Sequence, residues 1–287
     1  MTVAAALQTP EEIAKASGSS FLVSFAALAS DRRRALTAVY AFCRVADDAA
    51  DDADSTRDGR ERLAFWRQEL EAAAAGVPHT VVGERLAAAM STYGVDARHL
   101  HAVLDGVAMD LDGVRCDTLD QLLAYCDKVA SAVGLACLPV FGASGVHAER
   151  YAVALGRALQ LTNIARDVRA DAAGGRCYVP ATWLVEEAVD SSWLAAPADS
   201  GQAAAVSRLL ARLAAVARGF FAEADVELGK VADRRVLLAP ETMAAVYRRL
   251  LQRIEAGGAA AVRQGRRARV PAWEKLWLAW QTRRRLR

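Results

Sequence analysis

Apolar residues recur at helical spacing through most of this 287-residue chain. One such face carries Leu36, Val39 and Cys43, and another carries Leu86 and Met90. Alanine and leucine dominate the composition and β-branched residues are sparse, which favours helices over strands. Because no stretch shows strand-like alternation and no segment repeats, the sequence predicts an all-α fold.

Short turn-rich segments interrupt this pattern. They lie at 53–60, 76–80, 142–146, 172–180 and 194–202. None is long or polar enough to be a domain linker, so we predict one all-α domain over residues 1–287. Near the start of the chain, Thr9 precedes Pro10 and two glutamates, a combination typical of a helix N-terminus.

Charge and cysteine content argue against several classes of function. The 36 basic residues nearly balance the 34 acidic ones, so bulk charge predicts no nucleic-acid partner. The five cysteines form no CxxC pair, which argues against a zinc site or a disulfide framework. The four histidines lie away from every cluster of aspartates, so a histidine-based metal site or triad is not expected. We interpret the cysteines as reduced residues of a cytoplasmic protein.

The sequence predicts no membrane-spanning segment. Its first residues lack the basic stretch and apolar core of a signal peptide. The longest uncharged run, residues 129–146, is broken by Gly134, Pro139 and Gly142 and lies at the lower length limit for a membrane span. We interpret it as a buried helix and its exit. Contact with a membrane is therefore expected to be at most peripheral, at the inner face.

The first of two aspartate clusters follows an apolar run that ends at residue 46. On a helix, Asp47 and Asp51 lie one turn apart on the same face, and Asp48 and Asp52 form a second pair rotated by about 100°. Like charges at this spacing destabilise a helix by roughly a few tenths of a kcal/mol per pair. A fold that carries such pairs usually compensates them with positive charge.

A second cluster, 120 residues further along the chain, repeats the spacing. Asp167 and Asp171 are again four residues apart, Asn163 precedes Asp167 by the same interval, and Gln160 falls near that line. If the two helices face each other, the clusters can hold cations between them. The alternative is that each cluster is a solvated acidic helix face.

Hard divalent cations suit these clusters best. Mg²⁺ prefers oxygen ligands, keeps several waters, and usually bridges one or two carboxylates to substrate phosphates. Arg44 lies beside the first cluster, and Arg166 and Arg176 lie beside the second, where they can contact phosphate oxygens. The repeated spacing, the asparagine and the arginines together favour a site for two or three Mg²⁺ ions and a diphosphate over a solvated face.

Five segments carry a resemblance to the squalene/phytoene synthase family, whose members condense prenyl diphosphates head to head. They are "GSSF" (18–21), "AVYAFCRVADDAADD" (38–52), "YCDKVASAVG" (125–134), "LQLTNIARDVRADAAGGRCYVP" (159–180) and "AVYRRLL" (245–251). Within the family the chain is most similar to bacterial enzymes of hopanoid biosynthesis. The resemblance implies a helical bundle of the isoprenoid synthase type with a central apolar cavity.

The resemblance also implies roles for individual residues. It makes metal ligands of Asp47, Asp51, Asn163, Asp167 and Asp171. It assigns substrate binding to the polar residues Arg44, Gln160, Asn163, Arg166, Arg176, Tyr247 and Arg267, and to the channel residues Phe21, Tyr125, Ala130 and Gly134. Tyr40 is expected to shape the channel, and either its hydroxyl or the released diphosphate would accept the proton lost in the reaction.

The implied activity is the Mg²⁺-dependent joining of two farnesyl diphosphates into a cyclopropyl diphosphate. Two alternatives stay open: a phytoene synthase acting on C20 substrates, or a non-catalytic homologue that binds lipid or assists assembly. The chain has no glycine-rich strand-to-helix fingerprint, so we expect no nicotinamide cofactor and no reductive second step. Departures from the family pattern bear on chain length and on the second diphosphate pocket; they are Leu22, Val23, Ala108, Pro271 and Ala272.

The C-terminal segment carries three tryptophans on one face of a predicted helix. Trp273, Trp277 and Trp280 precede the basic stretch "TRRRLR". One interpretation is an interfacial helix that contacts an anionic membrane. The other, which the sequence alone favours, is a terminal helix that packs its tryptophans on the core and leaves a solvated basic tail.

Overall fold

The computed structural model describes residues 8–17, 24–25 and 28–286. Thirteen α-helices lie in these ranges: α1 Pro10–Ala16, α2 Ser30–Asp51, α3 Thr56–Ala74, α4 Val81–Tyr93, α5 Ala97–Leu111, α6 Leu119–Cys126, α7 Ala132–Phe141, α8 Val146–Ala173, α9 Ala181–Glu186, α10 Ser192–Ala195, α11 Ser200–Leu228, α12 Leu238–Gln264 and α13 Ala272–Arg285. A π-helical turn, Asp127–Ser131, joins α6 to α7, and a 3₁₀ turn, Arg234–Leu237, leads into α12. The described residues form no strand, so the all-α prediction is confirmed.

Helix ends fall where the turn-rich segments predict them. The Thr9 hydroxyl accepts a hydrogen bond from the Glu12 backbone N–H, and the Glu12 carboxylate accepts one from the Thr9 N–H, so the first helix begins with a capping box. Ser55, Thr80 and Asp199 cap α3, α4 and α11 with their side-chain oxygens. All five predicted breaks separate helices, although helix ends extend into four of them: α3 begins at Thr56, α8 runs from Val146 to Ala173, α10 ends at Ala195 and α11 begins at Ser200.

Helix α8 forms the centre of the bundle. It packs against α11, α12, α7 and the π turn, and its buried residues face several directions rather than one stripe. Its last turns carry Asn163, Asp167 and Asp171. Residues from nearly every helix, from Ile13 to Leu286, share one hydrophobic cluster. This continuity supports a single domain, which stays a prediction for residues 1–287.

The π turn contacts α8 at a very short distance because α8 presents a glycine there. A Cβ atom on Gly156 would lie 2.5 Å from the Ser131 Cα and 2.6 Å from its backbone nitrogen. The single Ser131 hydroxyl proton is shared between two acceptors, Asp127 at 2.9 Å and the Val153 carbonyl at 3.1 Å. Arg157 forms a two-point ion pair with Asp127, at 2.7 and 2.6 Å. Local sequence and close backbone approach therefore fix the π turn on α8.

Replacing Gly156 by alanine should destabilise the protein. The new methyl group would contact backbone atoms of Ser131, which cannot rotate away, so we expect a loss of about 1–3 kcal/mol of unfolding free energy. Gly219 on α11 is the matched control, since a Cβ there meets nothing within 4 Å. Gly219→Ala should stabilise by about 0.5–1 kcal/mol through helix propensity. Denaturant unfolding measures both, and equal stabilities of the two variants would contradict the packing argument.

One helical stretch in the described residues, Leu119–Phe141, has the length and composition of a membrane span. It comprises α6, the π turn and α7, and it packs against α5 and α8. Asp127 near its centre is paired with Arg157 of α8. These contacts are those of a core helix, in agreement with the interpretation of residues 129–146 as a buried helix and its exit.

The terminal helix α13 does not bury its tryptophans. Trp273, Trp277 and Trp280 are 69%, 44% and 54% exposed. Instead, the buried residues of α13 are Glu274, Leu278 and Thr282 on the opposite face. The prediction that the tryptophans pack on the core is therefore wrong.

Candidate active site

A cavity of about 790 Å³ opens between the C-terminal halves of α2 and α8, the middle of α12 and the segment 267–270 that follows α12. Asp47 and Asp51 of α2 line one wall, and Asp167 and Asp171 of α8 line another. Each helix presents its pair on one face because residues four apart are one turn apart. The two aspartate clusters that the sequence separates by 120 residues thus share one cavity, as their repeated spacing predicts.

The first cluster is partly neutralised by arginines. Arg44 pairs with Asp48 one turn along α2, and Arg176, in the loop after α8, contacts Asp51 at 2.7 Å. Asp47 has no ion pair among the described residues, and its side chain is exposed at the cavity wall. Partial desolvation by the surrounding protein, with the neighbouring carboxylates of Asp51 and Asp48, raises its pKa to about 7.

In the second cluster the pKa of one carboxyl group is lowered and that of the other is raised. Burial opposes ionisation of Asp167, but hydrogen bonds from Arg166 and Arg267 outweigh it and lower its pKa. The Arg267 Nε lies 2.7 Å from Asp167, and the Arg166 Nε lies 2.9 Å from it. Burial raises the pKa of Asp171 to about 6, and the charge of Asp167 adds to this shift. Asp47 and Asp171 are therefore the two cavity carboxylates that form no ion pair in the described part of the chain, and both have raised pKa values.

Asn163 carries an unsatisfied oxygen in this cavity. Its Oδ1 is buried and has no hydrogen-bond partner in the described part of the chain, whereas its amide nitrogen donates to Gln160 at 3.4 Å. Tyr247 of α12 lines the same cavity. Buried polar atoms are nearly always paired, so an orphaned oxygen beside four carboxylates fits an oxygen-liganded cation.

The family assignment follows from comparison with known proteins. A model of the squalene/phytoene synthase family matches residues 14–274, which is most of the chain and includes both aspartate clusters. The chain belongs to this family. Because the family consists of prenyltransferases, the protein is a prenyltransferase, and the all-α isoprenoid synthase fold agrees with the bundle described above.

Individual relatives agree with this assignment. The synthase is 38% identical over 249 residues to presqualene diphosphate synthase of Sinorhizobium fredii, covering 86% of this chain and 87% of the relative. It is 33% identical to phytoene synthase of Thermus thermophilus, covering 93% and 88%. A crystal structure of a dehydrosqualene synthase in complex with ligand superimposes with a TM-score of 0.81 at 26% identity, covering 96% and 95%.

Most of the predicted polar residues of this synthase lie together. Besides the four aspartates and Asn163, the cavity is lined by the predicted residues Tyr40, Arg44, Gln160, Arg166, Tyr247 and Arg267. Arg176 is not among the lining residues but contacts the site through Asp51. Phe21 lies outside the described residues. The individual roles of these side chains stay predictions.

Three predicted channel residues do not line this cavity. Tyr125 is buried and donates its hydroxyl to Asp110 at 3.0 Å. Ala130 belongs to the π turn that contacts Gly156. Gly134 faces α8, where a Cβ would lie 3.3 Å from the Ala152 carbonyl oxygen, so its small size serves helix packing in that direction. A channel role for these three residues remains a prediction. Close packing against α8 is a second explanation for the small residue at position 134.

Asp110 is a member of the acidic cluster that the sequence alone did not reveal. It accepts hydrogen bonds from Tyr125 and from Tyr178, the latter at 2.7 Å, and the two rings are stacked. Burial raises its pKa, and its charge contributes to the raised pKa values of Asp47 and Asp171. Asp110 has no acidic residue four positions before or after it, so only its tyrosine partners identify it.

A divalent metal ion is the cofactor class of this family. In the described part of the chain, no three His, Cys, Asp or Glu side chains approach closely enough to form a complete metal cage. At Mg²⁺ sites, substrate phosphates and waters usually supply part of the coordination. The donor set itself, carboxylates and an amide oxygen without cysteine or histidine, fits a hard cation.

The raised carboxyl pKa values predict a pH dependence of stability in the absence of ligand. Asp47 and Asp171 bind their protons more tightly in the folded than in the unfolded protein. Their contribution is therefore favourable at acidic pH and is lost as pH rises from about 4, the unfolded value, through about 6 to 7. His99 acts in the opposite direction, because burial lowers its pKa.

The test compares unfolding free energy between pH 5 and pH 8 for the parent and the double variant Asp47→Asn, Asp171→Asn. The parent should lose more stability across this range than the double variant, which keeps His99 but lacks both titrating carboxyls. Parallel pH profiles would contradict the assignment of these two groups.

Proposed function

We propose that this synthase joins two farnesyl diphosphates head to head into presqualene diphosphate, in a Mg²⁺-dependent reaction. The observation that carries the proposal is the cavity in which two aspartate pairs, an orphaned asparagine oxygen and several arginines converge. The C15 substrate is supported by relatives named presqualene diphosphate synthase at 36–38% identity over most of the chain.

Two kinds of positive group would bind the diphosphates, namely Mg²⁺ ions and arginine side chains. Asp47, Asp51, Asn163, Asp167 and Asp171 would hold the Mg²⁺ ions, two or three in number. When bound, these ions neutralise a diphosphate and stabilise it as a leaving group. Arg166 and Arg267 hold Asp167 in its ionised form through direct hydrogen bonds. The same two arginines line the cavity and can extend to phosphate oxygens, for which the guanidinium group is well suited.

The condensation itself forms one carbon–carbon bond, closes a cyclopropane ring and releases a proton. Ionisation of the allylic C–O bond of one substrate leaves an electron-poor carbon, which the 2,3 double bond of the second substrate attacks. Loss of one proton then closes the cyclopropane, so two C15 diphosphates give one C30 diphosphate, one diphosphate and one proton. The apolar lining residues Cys43, Ile164 and Leu250 would contact the prenyl carbons, where exclusion of water protects an electron-poor carbon.

Two groups can accept the proton: the released diphosphate and the Tyr40 hydroxyl. Tyr40 lines the cavity and donates a hydrogen bond to Ser17 at 2.8 Å, which orients the ring. Tyr40→Phe separates the two, because a tyrosine base would be lost and a diphosphate base would not. Turnover within threefold of the parent assigns the proton to diphosphate.

The deciding experiment is product analysis with purified protein. Incubation with farnesyl diphosphate and Mg²⁺, followed by extraction, should yield presqualene diphosphate, and addition of a reduced nicotinamide should not convert it to squalene. Geranylgeranyl diphosphate in a parallel incubation tests the alternative, phytoene synthesis, which is favoured by relatives of that name at 33–34% identity. No product from either substrate would favour a non-catalytic homologue.

A further inference from the structure

The outer face of α13 carries a continuous apolar surface. Trp273, Leu276, Trp277 and Trp280 follow one another at intervals of three, one and three residues, which places them on one helix face. All four side chains are solvent-accessible, and Leu276 is 63% exposed. Together they are called the tryptophan stripe. They make up half of the large hydrophobic side chains that are exposed in the described residues.

The opposite face anchors the helix and fixes the direction of the stripe. Glu274, Leu278 and Thr282 are buried. Leu278 belongs to a small apolar cluster with Val246 and Leu250 of α12, and Glu274 is paired with two arginines of α12, one at 2.9 Å. Since α13 is held in this way, its tryptophans cannot turn inward without breaking a buried ion pair.

The segment that carries the stripe has a net positive charge. Residues 263–286 contain eight arginines and lysines and one acidic residue, Glu274, which is buried and paired with α12. Two of the eight, Arg267 and Arg285, are paired with Asp167 and Glu241. Arg284 lies over the Trp280 ring at 4.8 Å, and Arg283 and Arg284 are both exposed. An apolar strip with arginines at one end complements a lipid surface in which anionic headgroups cover apolar acyl chains.

The size and charge of the stripe argue against a second copy of the chain as its partner. The exposed fractions place roughly 400 Å² of indole surface on this face. That is about half of the ~800 Å² that each partner contributes to a standard protein interface. A second copy would also bring the same positive charge to the contact.

We propose that the tryptophan stripe seats this protein on the surface of an anionic lipid bilayer. Tryptophan suits the interface because its ring is apolar and its N–H can bond to headgroups or water. Lys275 of the same helix lines the diphosphate-binding cavity, as do Arg267–Val270 just before it. The bilayer surface would therefore lie about one helix diameter, ~10 Å, from the cavity wall.

Flotation of the full-length protein with lipid vesicles tests the proposal without any substrate. The protein should float with phosphatidylcholine vesicles that contain phosphatidylglycerol, and less with phosphatidylcholine alone. Added salt should reduce the anionic component of binding. Because the readout is binding, its result is independent of whether the proposed condensation is correct.

Two sets of variants measure how much the tryptophans and the arginines each contribute to vesicle binding, and a control measures the effect of removing apolar side chains elsewhere. W273Q/W277Q/W280Q should reduce binding at least tenfold, whereas the control V77S/V185S/V226S removes three exposed apolar side chains elsewhere and should bind like the parent. R283Q/R284Q should weaken binding to anionic vesicles by about fivefold per arginine. Circular dichroism and melting curves establish that each variant is folded.

Three outcomes would overturn the proposal. The parent could fail to float with anionic vesicles, or the tryptophan variant could float as well as the parent. Sedimentation velocity could also show a dimer of the parent that the tryptophan variant does not form, which would assign the stripe to a second copy of the chain.

Discussion

Replacing Asp47 or Asp167 by asparagine is expected to lower turnover by roughly 10²–10³-fold, the range seen when a group that stabilises developing charge is removed. Both side chains line the same cavity from opposite helices, and both are predicted ligands of the same cations. Asparagine keeps the shape but removes the negative charge. For Asp167 it also leaves the charges of Arg166 and Arg267 without their acidic partner. The site would then lose a cation ligand and gain net positive charge, which changes how it binds diphosphate.

Asp52→Asn is the matched control for this experiment. Asp52 belongs to the same cluster and caps the same helix as Asp47 and Asp51, but it does not line the cavity. Its variant should keep turnover within about threefold of the parent, since surface changes of this kind have small effects. Circular dichroism should show unchanged helix content in all variants. Normal turnover in Asp47→Asn or Asp167→Asn would contradict the model in which both clusters hold the cations.

The helices and most of their ends follow from local signals in the sequence. Apolar spacing, the Thr9 capping box and the turn-rich segments each act within a few residues, so they predict helices and breaks without knowledge of the tertiary structure. The breaks at 94–96, 112–118, 187–191, 229–233 and 265–271 are not among those that the sequence predicts. Gly113 lies in the second of these breaks and Gly265 and Pro271 lie in the last, but apolar or basic residues follow each of them rather than further turn-forming residues.

The two aspartate clusters are predictable for a different reason. Two like-charged pairs at the same spacing cost stability unless something positive binds them, and this holds whatever fold surrounds them. The partners of the clusters are not predictable in this way. Asp110, the tyrosines that bond to it, and the contact of Arg267 with Asp167 depend on residues that are far apart in sequence.

The terminal helix shows where composition misleads. Its most hydrophobic side chains are exposed, and its buried face contains a glutamate and a threonine. Burial of Glu274 depends on Arg249 and Arg253, which lie on α12, 25 and 21 residues earlier in the sequence, and neutralise it. A one-dimensional hydrophobicity pattern contains no information about such a pair, so the sequence favours the wrong face.

Repulsion between the carboxylates should lower the stability of the ligand-free protein, and a bound cation should remove this effect. Burial and the charge of Asp167 both oppose ionisation of Asp171, and Asp171 forms no ion pair within the described ranges. Asp171→Asn should therefore raise the ligand-free melting temperature slightly. The charge pattern alone predicts the same for Asp51→Asn, but Asp51 is paired with Arg176 at 2.7 Å. Loss of that pair offsets the relief of repulsion, and we expect little change for this variant.

Addition of Mg²⁺ with inorganic diphosphate should raise the melting temperature of the parent by roughly 5–10 °C. A ligand that binds only the folded form at a hundred times its dissociation constant adds about 2.7 kcal/mol of stability. For a domain of this size each kcal/mol corresponds to roughly 2–4 °C. Asp51→Asn and Asp171→Asn should lose most of this rise, while Asp52→Asn should keep it, because only the first two side chains line the cavity. Differential scanning calorimetry with Mg²⁺ alone, diphosphate alone and both together measures each contribution. A parent melting curve that is unchanged by the combination would favour a solvated acidic face over a cation site.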